Sequence, residues 1–369
     1  MSTSARIAIV VGTRPEVIKM APVIAAVQAS TSLEAVVIST GQQRELAAQA
    51  LAGFGVVPSY DLDVMRENQG LAALTGRILS ALDTVLADLN CDALLCHGDT
   101  TTALSAALAG FYQRIPIGHV EAGLRTYDFD HPWPEEMNRR LIDPICRWCF
   151  APTELSKRNL MSEGIDEQAV HVTGNTVIDA LLTLRSQQAA DAEQNTKSNV
   201  REILVTGHRR ESFGDGFQNI CKAIHTLAEE REDVKFIYPV HLNPNVRGPV
   251  MSLLGSHPRI ELREPVGYEE FVRLMSRAHF LLTDSGGVQE EAPSLGKPVL
   301  VMRDTTERPE GIDAGTCTLV GTDPDRIMSS CRELLDDENE YTRRSSLANP
   351  YGDGHAAERI TSVLERDLG

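Results

Sequence analysis

One loop of the sequence combines a strand end with two adjacent glycines, and this combination could bind phosphate. The run Asp284-Ser285-Gly286-Gly287 follows the apolar segment Phe280 to Thr283 and precedes a predicted short helix from Val288 to Leu295. Adjacent glycines carry no Cβ, so backbone N–H groups can approach an anion closely. The dipole of a helix N-terminus favours the same negative charge. An ordinary glycine-containing turn between strand and helix is the alternative interpretation.

Three carboxylates could transfer protons. Asp99 and Glu121 each follow a predicted strand, and Glu135 opens a predicted helix. Each also has a purely structural explanation: Asp99 could cap a helix, Glu121 could pair with Arg125, and Glu135 could offset a helix dipole. Separated acids and bases are nevertheless what proton-transfer catalysis requires. Together the three predict acid–base chemistry.

Cationic side chains also follow strands. Arg14 and Lys19 lie at or just inside a predicted helix N-terminus, and His208, Arg209 and Arg210 follow the strand Glu202 to Thr206. Exposed cations at such a position are electrostatically awkward unless an anion binds there. The pattern indicates a phosphorylated ligand outside the carboxyl ends of the strands.

The elements that must position these groups alternate strand, turn and helix along the chain. This alternation predicts parallel α/β sheets. We expect two Rossmann-like domains whose sheets face each other across a cleft. The N-terminal domain would span 1–175 and the C-terminal domain 176–354, and the helix at 355–369 would pack back on the first domain. The polar stretch 186–199 is predicted to be a flexible edge of the domain junction.

Composition excludes several classes of protein. The chain of 369 residues has a formal net charge of −17, which argues against nucleic acid as a partner. No apolar run is long enough to cross a membrane, and the N-terminus does not resemble a signal peptide, so we expect a cytoplasmic protein. The seven cysteines are too few and scattered for a disulfide framework, and Cys146 and Cys149 are interpreted as core thiols.

Motifs for common cofactors are absent. The sequence contains neither G-x-x-x-x-G-K-[ST] nor H-E-x-x-H. Its one match to G-x-G-x-x-A, at residues 352–357, follows no strand and lies too near the end of the chain for a βαβ unit. We therefore expect no nicotinamide cofactor.

The motifs of this chain closely resemble those of the non-hydrolysing bacterial UDP-N-acetylglucosamine 2-epimerases. The resemblance covers nearly the whole length and rests on VVGTRPEVIKMAPV, HGDTTT, HVEAGLRT, PWPEEMNR, FAPTE, VTGNTVIDAL, VTGHRRESFG, YPVHLNPNV, TDSGGVQEEAPSLGKPVLVMRDTTERPE and NPYGDGHA. It implies a GT-B fold, a homodimer without cofactor or metal, and interconversion of UDP-GlcNAc and UDP-ManNAc. The implied route eliminates UDP to give 2-acetamidoglucal and then adds UDP back.

The resemblance also implies roles for individual residues. The implied catalytic residues are Asp99, Glu121, Glu135 and His208. The residues implied to bind the substrate and its UDP are Arg14, Lys19, Phe271, Ser285, Gly286, Gly287, Glu291 and Arg308. Which carboxylate serves which face of the sugar is left open by the sequence.

Many members of the family bind a second UDP-GlcNAc as an allosteric activator. The matching positions are Gln42, Arg66, Glu136, Arg210 and His241. The chain departs from the family pattern at Gln43 and Glu45, and again in the spacer Asp128 to His131. The departures at Gln43 and Glu45 affect the expected activator site more than the expected catalysis, and the different spacer could change loop closure.

Three other functions are compatible with the same fold. One is a 2-epimerase that acts on a UDP-diacetamido-uronic acid, and another is a hydrolysing relative that releases free ManNAc. The third is a non-catalytic UDP-sugar sensor. A sensor would be expected to lack the carboxylates, yet Asp99, Glu121 and Glu135 are all present.

Overall fold

The protein is described by a computed structural model that covers residues 4–66, 69–191, 200–209 and 212–369. It divides into two compact α/β units. The first unit comprises Met1–Ala180 and Gly352–Gly369, and the second comprises Leu181–Tyr351. Each unit contains one parallel β-sheet, so the α/β class predicted from the sequence is confirmed.

The first unit is built on a seven-stranded sheet with the order β3-β2-β1-β4-β5-β6-β7. Its strands are β1 (Ala5–Val11), β2 (Leu33–Ser39), β3 (Tyr60–Asp61), β4 (Ala93–His97), β5 (Ile117–Val120), β6 (Trp148–Ala151) and β7 (Val170–Val172). Its helices are α1 (Arg14–Ala29), α2 (Arg44–Gly53), α3 (Leu71–Leu89), α4 (Thr101–Tyr112), α5 (Glu135–Ile142) and α6 (Glu154–Ser162), with α7 (Thr176–Asp191) leading into the second unit. Short 3₁₀ segments cover Asp143–Ile145 and Glu167–Ala169.

The second unit is built on a six-stranded sheet with the order β10-β9-β8-β11-β12-β13. Its strands are β8 (Arg201–Thr206), β9 (Val234–Pro239), β10 (Ile260–Arg263), β11 (Phe280–Thr283), β12 (Val299–Val301) and β13 (Cys317–Leu319). Its helices are α8 (Asp215–Glu230), α9 (Pro244–Leu254), α10 (Tyr268–Arg277), α11 (Gly286–Glu291), α12 (Pro309–Asp313), α13 (Pro324–Asp336) and α14 (Glu338–Ser345), and a 3₁₀ turn covers Ala292–Leu295. The last helix of the chain, α15 (Ala356–Leu368), belongs to the first unit.

Helix α7 corrects one prediction. The polar stretch 186–199 was expected to be a flexible edge of the domain junction, but α7 continues to Asp191 and crosses the boundary between the two units. Alanine and glutamine, which fill this run, have good helix propensity, so polarity alone did not indicate a linker. Residues 192–199 of the predicted junction lie outside the described residues.

Strand burial explains why these segments form parallel sheets. Six of the seven residues of β1 are buried, and Ile7, Ile9 and Val11 pack into the same core cluster as Ile360 of α15. A strand that is covered by helices on both faces must be almost continuously apolar. Within the described part of the chain, no helix is long and apolar enough to cross a membrane.

Strand order creates a crevice in each unit. In the first sheet β1 pairs with β2 on one side and β4 on the other, and in the second sheet β8 pairs with β9 and β11. The direction in which the chain adds strands reverses at these two points. Ligands bind outside the carboxyl ends of the strands at such switch points. We therefore expect ligand-binding residues in the loops after β1, β4, β8 and β11.

Candidate active site

The loops after β1 and β4 are in close contact. A Cβ on Gly12, which follows β1, would lie 2.2 Å from Oγ1 of Thr40 and 2.3 Å from Oγ1 of Thr102. Only glycine leaves room for this approach. Thr40 and Thr102 are themselves hydrogen-bonded at 2.9 Å. The loops after β1, β2 and β4 therefore contact one another next to the turn that carries Arg14, the predicted anion-binding residue.

Glu16 joins two of these loops through one buried carboxylate. Its Oε2 accepts hydrogen bonds from the backbone N–H groups of Gly12 (2.9 Å) and Thr13 (2.7 Å), and its Oε1 accepts one from the Thr100 hydroxyl (2.5 Å). Thr13 caps α1 in return, which completes a capping box. Burial raises the pKa of Glu16, although these hydrogen bonds oppose the shift. The side chain thus fixes the turn that carries Arg14 to the turn that carries Asp99.

We expect Glu16→Ala to destabilise the first unit by about 1–3 kcal/mol, because two buried N–H donors lose their acceptor. Glu16→Gln should retain the fold, since its amide oxygen can accept from both N–H groups and its NH₂ can donate to Thr100. Both tryptophans, Trp133 and Trp148, lie in the first unit, so urea unfolding followed by tryptophan fluorescence measures this unit.

The raised pKa of Glu16 also predicts a pH dependence. Its stabilising contribution is fully present below the ordinary value of 4.5 and is lost as the pH rises through the folded-state value. The stability of Glu16→Gln relative to the unsubstituted protein should therefore increase between pH 4.5 and 8. Equal unfolding free energies for Glu16→Ala and Glu16→Gln would contradict this account of the carboxylate.

Asp99 lies between β4 and α4 and is held by α5. Its Oδ2 forms an ion pair with Nη2 of Arg139 at 2.6 Å, and its backbone carbonyl accepts a hydrogen bond from the Asn138 amide at 2.7 Å. The side chain retains 26% exposure. Thr100, not Asp99, caps α4 by accepting from the backbone of Ala103. The explanation of Asp99 as a helix cap is therefore wrong, because its carboxylate does not cap α4.

Glu121 directly follows β5 and takes a strained backbone conformation. Its φ of +68° is in the left-handed region, which costs a residue other than glycine about 1–3 kcal/mol. The carboxylate forms an ion pair with Lys19, and its Oε2 lies 3.3 Å from Nε2 of His97. Glu121 is not the partner of Arg125, contrary to the structural explanation considered from sequence, because Arg125 binds Asp143 and Glu163.

His97 keeps the surroundings of Glu121 uncharged on one side. The side chain is 4% exposed, and burial lowers the pKa of His97 to about 3 against the opposing effect of Glu121. Lys19 and His119 lower the pKa further. At neutral pH a neutral imidazole and a lysine ammonium thus flank the carboxylate. Lys19, predicted to bind substrate, contacts Glu121 in this structure.

A buried charge network supports the strand ends behind Asp99 and Glu121. Asp143 accepts from His119 Nδ1 and from Arg125, both at 2.6 Å, and Arg125 also binds Glu163. The second ring nitrogen of His119 lies 2.7 Å from the carbonyl of Gly98, next to Asp99. Burial alone would raise the pKa of Asp143, but His119 and Arg125 lower it below the usual value.

Glu135 and Glu136 begin α5 and have different environments. Glu135 is half-buried, whereas both oxygens of Glu136 are buried and accept at 3.0 Å from the backbone of Thr126 and Tyr127. Arg139 and Asn138 of the same helix hold Asp99. The helix therefore brings Glu135 and the Asp99 turn into one assembly, while Glu136 orders the loop that precedes the helix.

Two further residues predicted to contact an activator lie in the first unit. Gln42 accepts from the backbone N–H (3.2 Å) and hydroxyl (2.8 Å) of Thr102. Arg66 is exposed and donates to the backbone carbonyls of Asp63 and Met65. The side chain of Gln42 is thus hydrogen-bonded to the start of α4, whereas the side chain of Arg66 is exposed at the surface.

In the second unit, the glycine pair after β11 lies beside two guanidinium groups. Gly286 and Gly287 start α11, and a Cβ on Gly286 would lie 3.9 Å from Cζ of Arg308 and 4.0 Å from Nη2 of Arg209. Arg308 forms an ion pair with Glu290, and Arg209 pairs with Glu307 at 3.3 Å. Backbone N–H groups at a helix start, with cations beside them at one sheet edge, are suited to a diphosphate.

The carboxylate predicted to bind ribose has a tyrosine partner. Glu291 is buried, and its Oε2 accepts from the hydroxyl of Tyr268 at 2.9 Å. Tyr268 is the first residue of α10, and Phe271, predicted to lie near uracil, is half-buried in the same helix. Ser285 precedes α11, and its backbone N–H donates to Thr283. Ser285 and Glu291 therefore follow the carboxyl end of β11, and the hydrogen bond to Glu291 ties Tyr268 to the same segment.

His208 follows β8 and faces an aspartate that the sequence did not single out. Its Nδ1 lies 3.4 Å from Oδ1 of Asp284, and its ring stacks on His241 with centroids 5.5 Å apart. Burial lowers the pKa of His208, an effect that Asp284 opposes and that Arg209 and His241 reinforce. Arg210, predicted to contact the activator, lies outside the described residues.

Several residues of the site were missed by reasoning from sequence. The T-x-x-E spacing of Thr13 and Glu16 is a readable capping-box signal and could have identified Glu16. Asp284 and Arg139 carry no comparable local signal, because their partners come from other strands and helices. Within the described ranges, no group of three or more His, Cys, Asp or Glu side chains is arranged to hold a metal ion.

Comparison with known proteins places the chain in a family. The sequence model of the family described as UDP-N-acetylglucosamine 2-epimerase matches residues 25–365. A Salmonella typhimurium protein named UDP-N-acetylglucosamine 2-epimerase is 53% identical over 365 residues, which cover 96% of this chain and 97% of the relative.

Solved structures agree with the sequence comparison. The Neisseria meningitidis UDP-GlcNAc 2-epimerase bound to UDP-GlcNAc is 48% identical, with a TM-score of 0.88 over 98% of this chain and 100% of the other. The Methanocaldococcus jannaschii UDP-GlcNAc 2-epimerase in complex with UDP-GlcNAc and UDP is 34% identical, with a TM-score of 0.78 over 98% and 99% of the two chains. The GT-B fold class predicted from the sequence is confirmed by these similarities.

Proposed function

The chain belongs to the UDP-N-acetylglucosamine 2-epimerase family, and from this premise we propose that it reversibly inverts C2 of UDP-GlcNAc to give UDP-ManNAc. The observation that carries the proposal is the placement of Asp99 and Glu121. They follow the adjacent parallel strands β4 and β5, and each carboxylate is paired with a cation. Two acids held separately at one sheet edge are suited to proton transfer.

The proposed reaction avoids direct ionisation of an unactivated C–H bond. The C2 proton of GlcNAc is not next to a carbonyl, so simple deprotonation is implausible. Instead, one carboxylate takes the C2 proton while the C1–O bond breaks and its electron pair leaves with UDP. UDP then adds back to C1 of the 2-acetamidoglucal, and a second acid protonates C2 from the opposite face. Atoms and electrons balance without a redox cofactor.

We assign the acid–base work to Asp99, Glu121 and Glu135, and the contacts of Lys19 suggest that it acts through Glu121. His208 and Arg14 would stabilise the departing diphosphate, whose negative charge increases as the C1–O bond breaks. The remaining proposed contacts to UDP come from the second unit: Ser285, Gly286 and Gly287 to phosphate, Glu291 to ribose, Phe271 near uracil and Arg308 near the nucleotide.

We further propose that a second UDP-GlcNAc activates the enzyme through Arg66 and His241, which are exposed, and through Gln42 and Glu136, which order neighbouring loops.

The active form would be a cytoplasmic homodimer. The seven cysteines are all free thiols, which suits a reducing compartment. Light scattering in solution tests the dimer, and sigmoidal dependence of the rate on UDP-GlcNAc tests activation.

One experiment separates the proposed reaction from its alternatives. The protein is incubated with UDP-GlcNAc in D₂O, and the products are identified by NMR. We expect UDP-ManNAc with deuterium at C2 and traces of UDP and glycal. Turnover without solvent hydrogen at C2 would exclude elimination, and free ManNAc would indicate a hydrolysing enzyme. Conversion only of a UDP-diacetamido-uronic acid would indicate the other sugar, and binding without turnover would indicate a sensor.

A further inference from the structure

The sheet register places Asp284 beside the loop that carries His208. Thr206 at the end of β8 pairs with Thr283 at the end of β11, so the next residues leave the sheet side by side. The backbone N–H of Asp284 donates to the carbonyl of Thr206 at 3.1 Å, which continues the ladder by one step. The aspartate side chain is therefore held at the switch point of the second sheet, where a ligand is expected.

One oxygen of Asp284 fixes the backbone of the histidine loop. Oδ2 accepts hydrogen bonds from the N–H groups of His208 and Arg209, both at 2.7 Å. The side chain is fully buried, so water does not compete for these bonds. The loop is anchored further by the Tyr238 hydroxyl, which donates to the carbonyl of Gly207 at 3.2 Å.

The other carboxylate oxygen of Asp284 lies next to the imidazole of His208. Oδ1 is buried and has no hydrogen-bond partner among the described residues, and Nδ1 of His208 lies 3.4 Å away. An unsatisfied buried carboxylate oxygen is costly, and a small rotation of the ring would satisfy it. This arrangement favours the tautomer with hydrogen on Nδ1 and leaves Nε2 available to a ligand.

We infer that Asp284 is a positioning residue for His208: it selects the Nδ1–H tautomer and supports the imidazolium form that donates from Nε2 to the departing diphosphate. This inference rests on the proposed function, because it requires a leaving group that gains negative charge. As the C1–O bond breaks, its electron pair moves onto a β-phosphate oxygen, and a proton or hydrogen bond from Nε2 stabilises that oxygen. Asp284 itself transfers no proton and contacts no reacting atom.

The charges around His208 give Asp284 a distinct electrostatic effect. Burial, Arg209 and His241 all lower the pKa of the imidazole, and Asp284 raises it. Arg209 is partly neutralised by Glu307 at 3.3 Å. Loss of the Asp284 charge should therefore lower the pKa of His208 further. If turnover requires the imidazolium, the alkaline limb of the kcat profile should move to lower pH in Asp284→Asn.

The amide in Asp284→Asn can still accept from the two backbone N–H groups, but its NH₂ would face Nδ1 of His208 and favour the opposite tautomer. We expect kcat for UDP-GlcNAc to fall about 10²- to 10⁴-fold, by analogy with the removal of other acid–base groups and their orienting partners. UDP affinity, measured by calorimetry, should change less than tenfold. In an His208→Ala background, Asp284→Asn should cause no further loss of kcat.

NMR of the full chain supplies a readout that a purely structural role would not change. Long-range ¹H–¹⁵N spectra, with the His208 signals assigned by their loss in His208→Ala, should show hydrogen on Nδ1 in the unsubstituted protein and on Nε2 in Asp284→Asn. Glu307→Gln is the matched control, since it removes a neighbouring negative charge without facing Nδ1, and should leave the tautomer unchanged.

The outcomes separate this inference from the proposed function. If the unsubstituted protein does not epimerise UDP-GlcNAc, the proposed function fails, while the tautomer spectra still test the contact. Independent, multiplicative losses in the double variant would overturn the inference, as would a neutral imidazole with hydrogen on Nε2 alone in the unsubstituted protein. The spectrum of the unsubstituted protein decides the matter even if Asp284→Asn does not fold.

Discussion

Asp99→Asn is expected to lower kcat for UDP-GlcNAc by about 10²- to 10⁴-fold, the usual contribution of a general acid or base. Asparagine cannot accept the proton, but its side-chain oxygen can still contact the Arg139 guanidinium, which lies 2.6 Å from Oδ2 of Asp99. The amide of Asn138 donates to the backbone carbonyl of residue 99, which the substitution does not touch. Fold and loop position should therefore persist. Coupled detection of UDP-ManNAc measures the rate.

The same strand offers a matched control for this substitution. Asp92 precedes β4 at its amino end and accepts from the backbone of Arg6 at 2.8 Å, whereas Asp99 follows the strand at its carboxyl end. Asp92→Asn makes the same chemical change away from the candidate site and should keep near-normal kcat. UDP affinity should be nearly unchanged in both variants, because the proposed UDP contacts lie mainly in the second unit. Near-normal turnover by Asp99→Asn would remove Asp99 from the mechanism.

Arg125→Met is expected to destabilise the first unit by about 3–5 kcal/mol, the usual effect of removing one partner from a buried ion pair. The side chains of Arg125 and Asp143 have no exposed surface, and Glu163 is 20% exposed. Methionine fills part of the volume but removes the guanidinium that both carboxylates contact, and Asp143 is fully buried. Urea unfolding followed by tryptophan fluorescence measures the loss.

The pH dependence of this loss follows from Asp143. Its pKa is lower in the folded protein than the ordinary 3.8, so its contribution to stability is present above pH 3.8 and is lost as the pH falls through the folded-state value. Removing Arg125 should raise the pKa of Asp143. The deficit of Arg125→Met should thus be largest near pH 7 and should shrink as the pH approaches 3.8 and Asp143 becomes protonated.

An exposed ion pair in the same unit is the control. Lys157 and Glu167 lie 2.9 Å apart, with 26% and 64% of their side chains exposed. Lys157→Met should cost no more than about 1 kcal/mol, because solvent screens such pairs. If Arg125→Met and Lys157→Met had equal effects, the buried network would not be the source of stability assigned to it.

Local signals were sufficient for many elements of the fold. The strands β6 and β11 begin and end at the residues predicted from sequence, Trp148–Ala151 and Phe280–Thr283. Both are short apolar runs bounded by loop residues, which is the pattern of a strand covered on both faces. Helix α3 was not predicted, although its buried Leu74, Ile78 and Leu82 recur at helical spacing.

Helix ends were predicted less well because the local signals compete. The first helix was expected to begin at Val17, but it begins at Arg14, since Pro15 is compatible with its first turn and Thr13 caps it. The terminal helix, expected within residues 355–369, spans Ala356–Leu368. In the first helix, the capping side chain of Thr13 extends the helix beyond its apolar stripe.

The sequence by itself determined which chemical groups are present and which strand ends carry them: a glycine pair after β11, carboxylates after β4 and β5, and cations after β1 and β8. Only the tertiary structure decided which charges meet. Glu121 pairs with Lys19, 102 residues away, rather than with nearby Arg125, and Glu16 binds Thr100, 84 residues away. Asp284 faces His208 across 76 residues of chain. The physical reason is strand order, since β1 lies next to β4 and β8 next to β11, and the spacing of residues along a sequence does not specify which strands are neighbours.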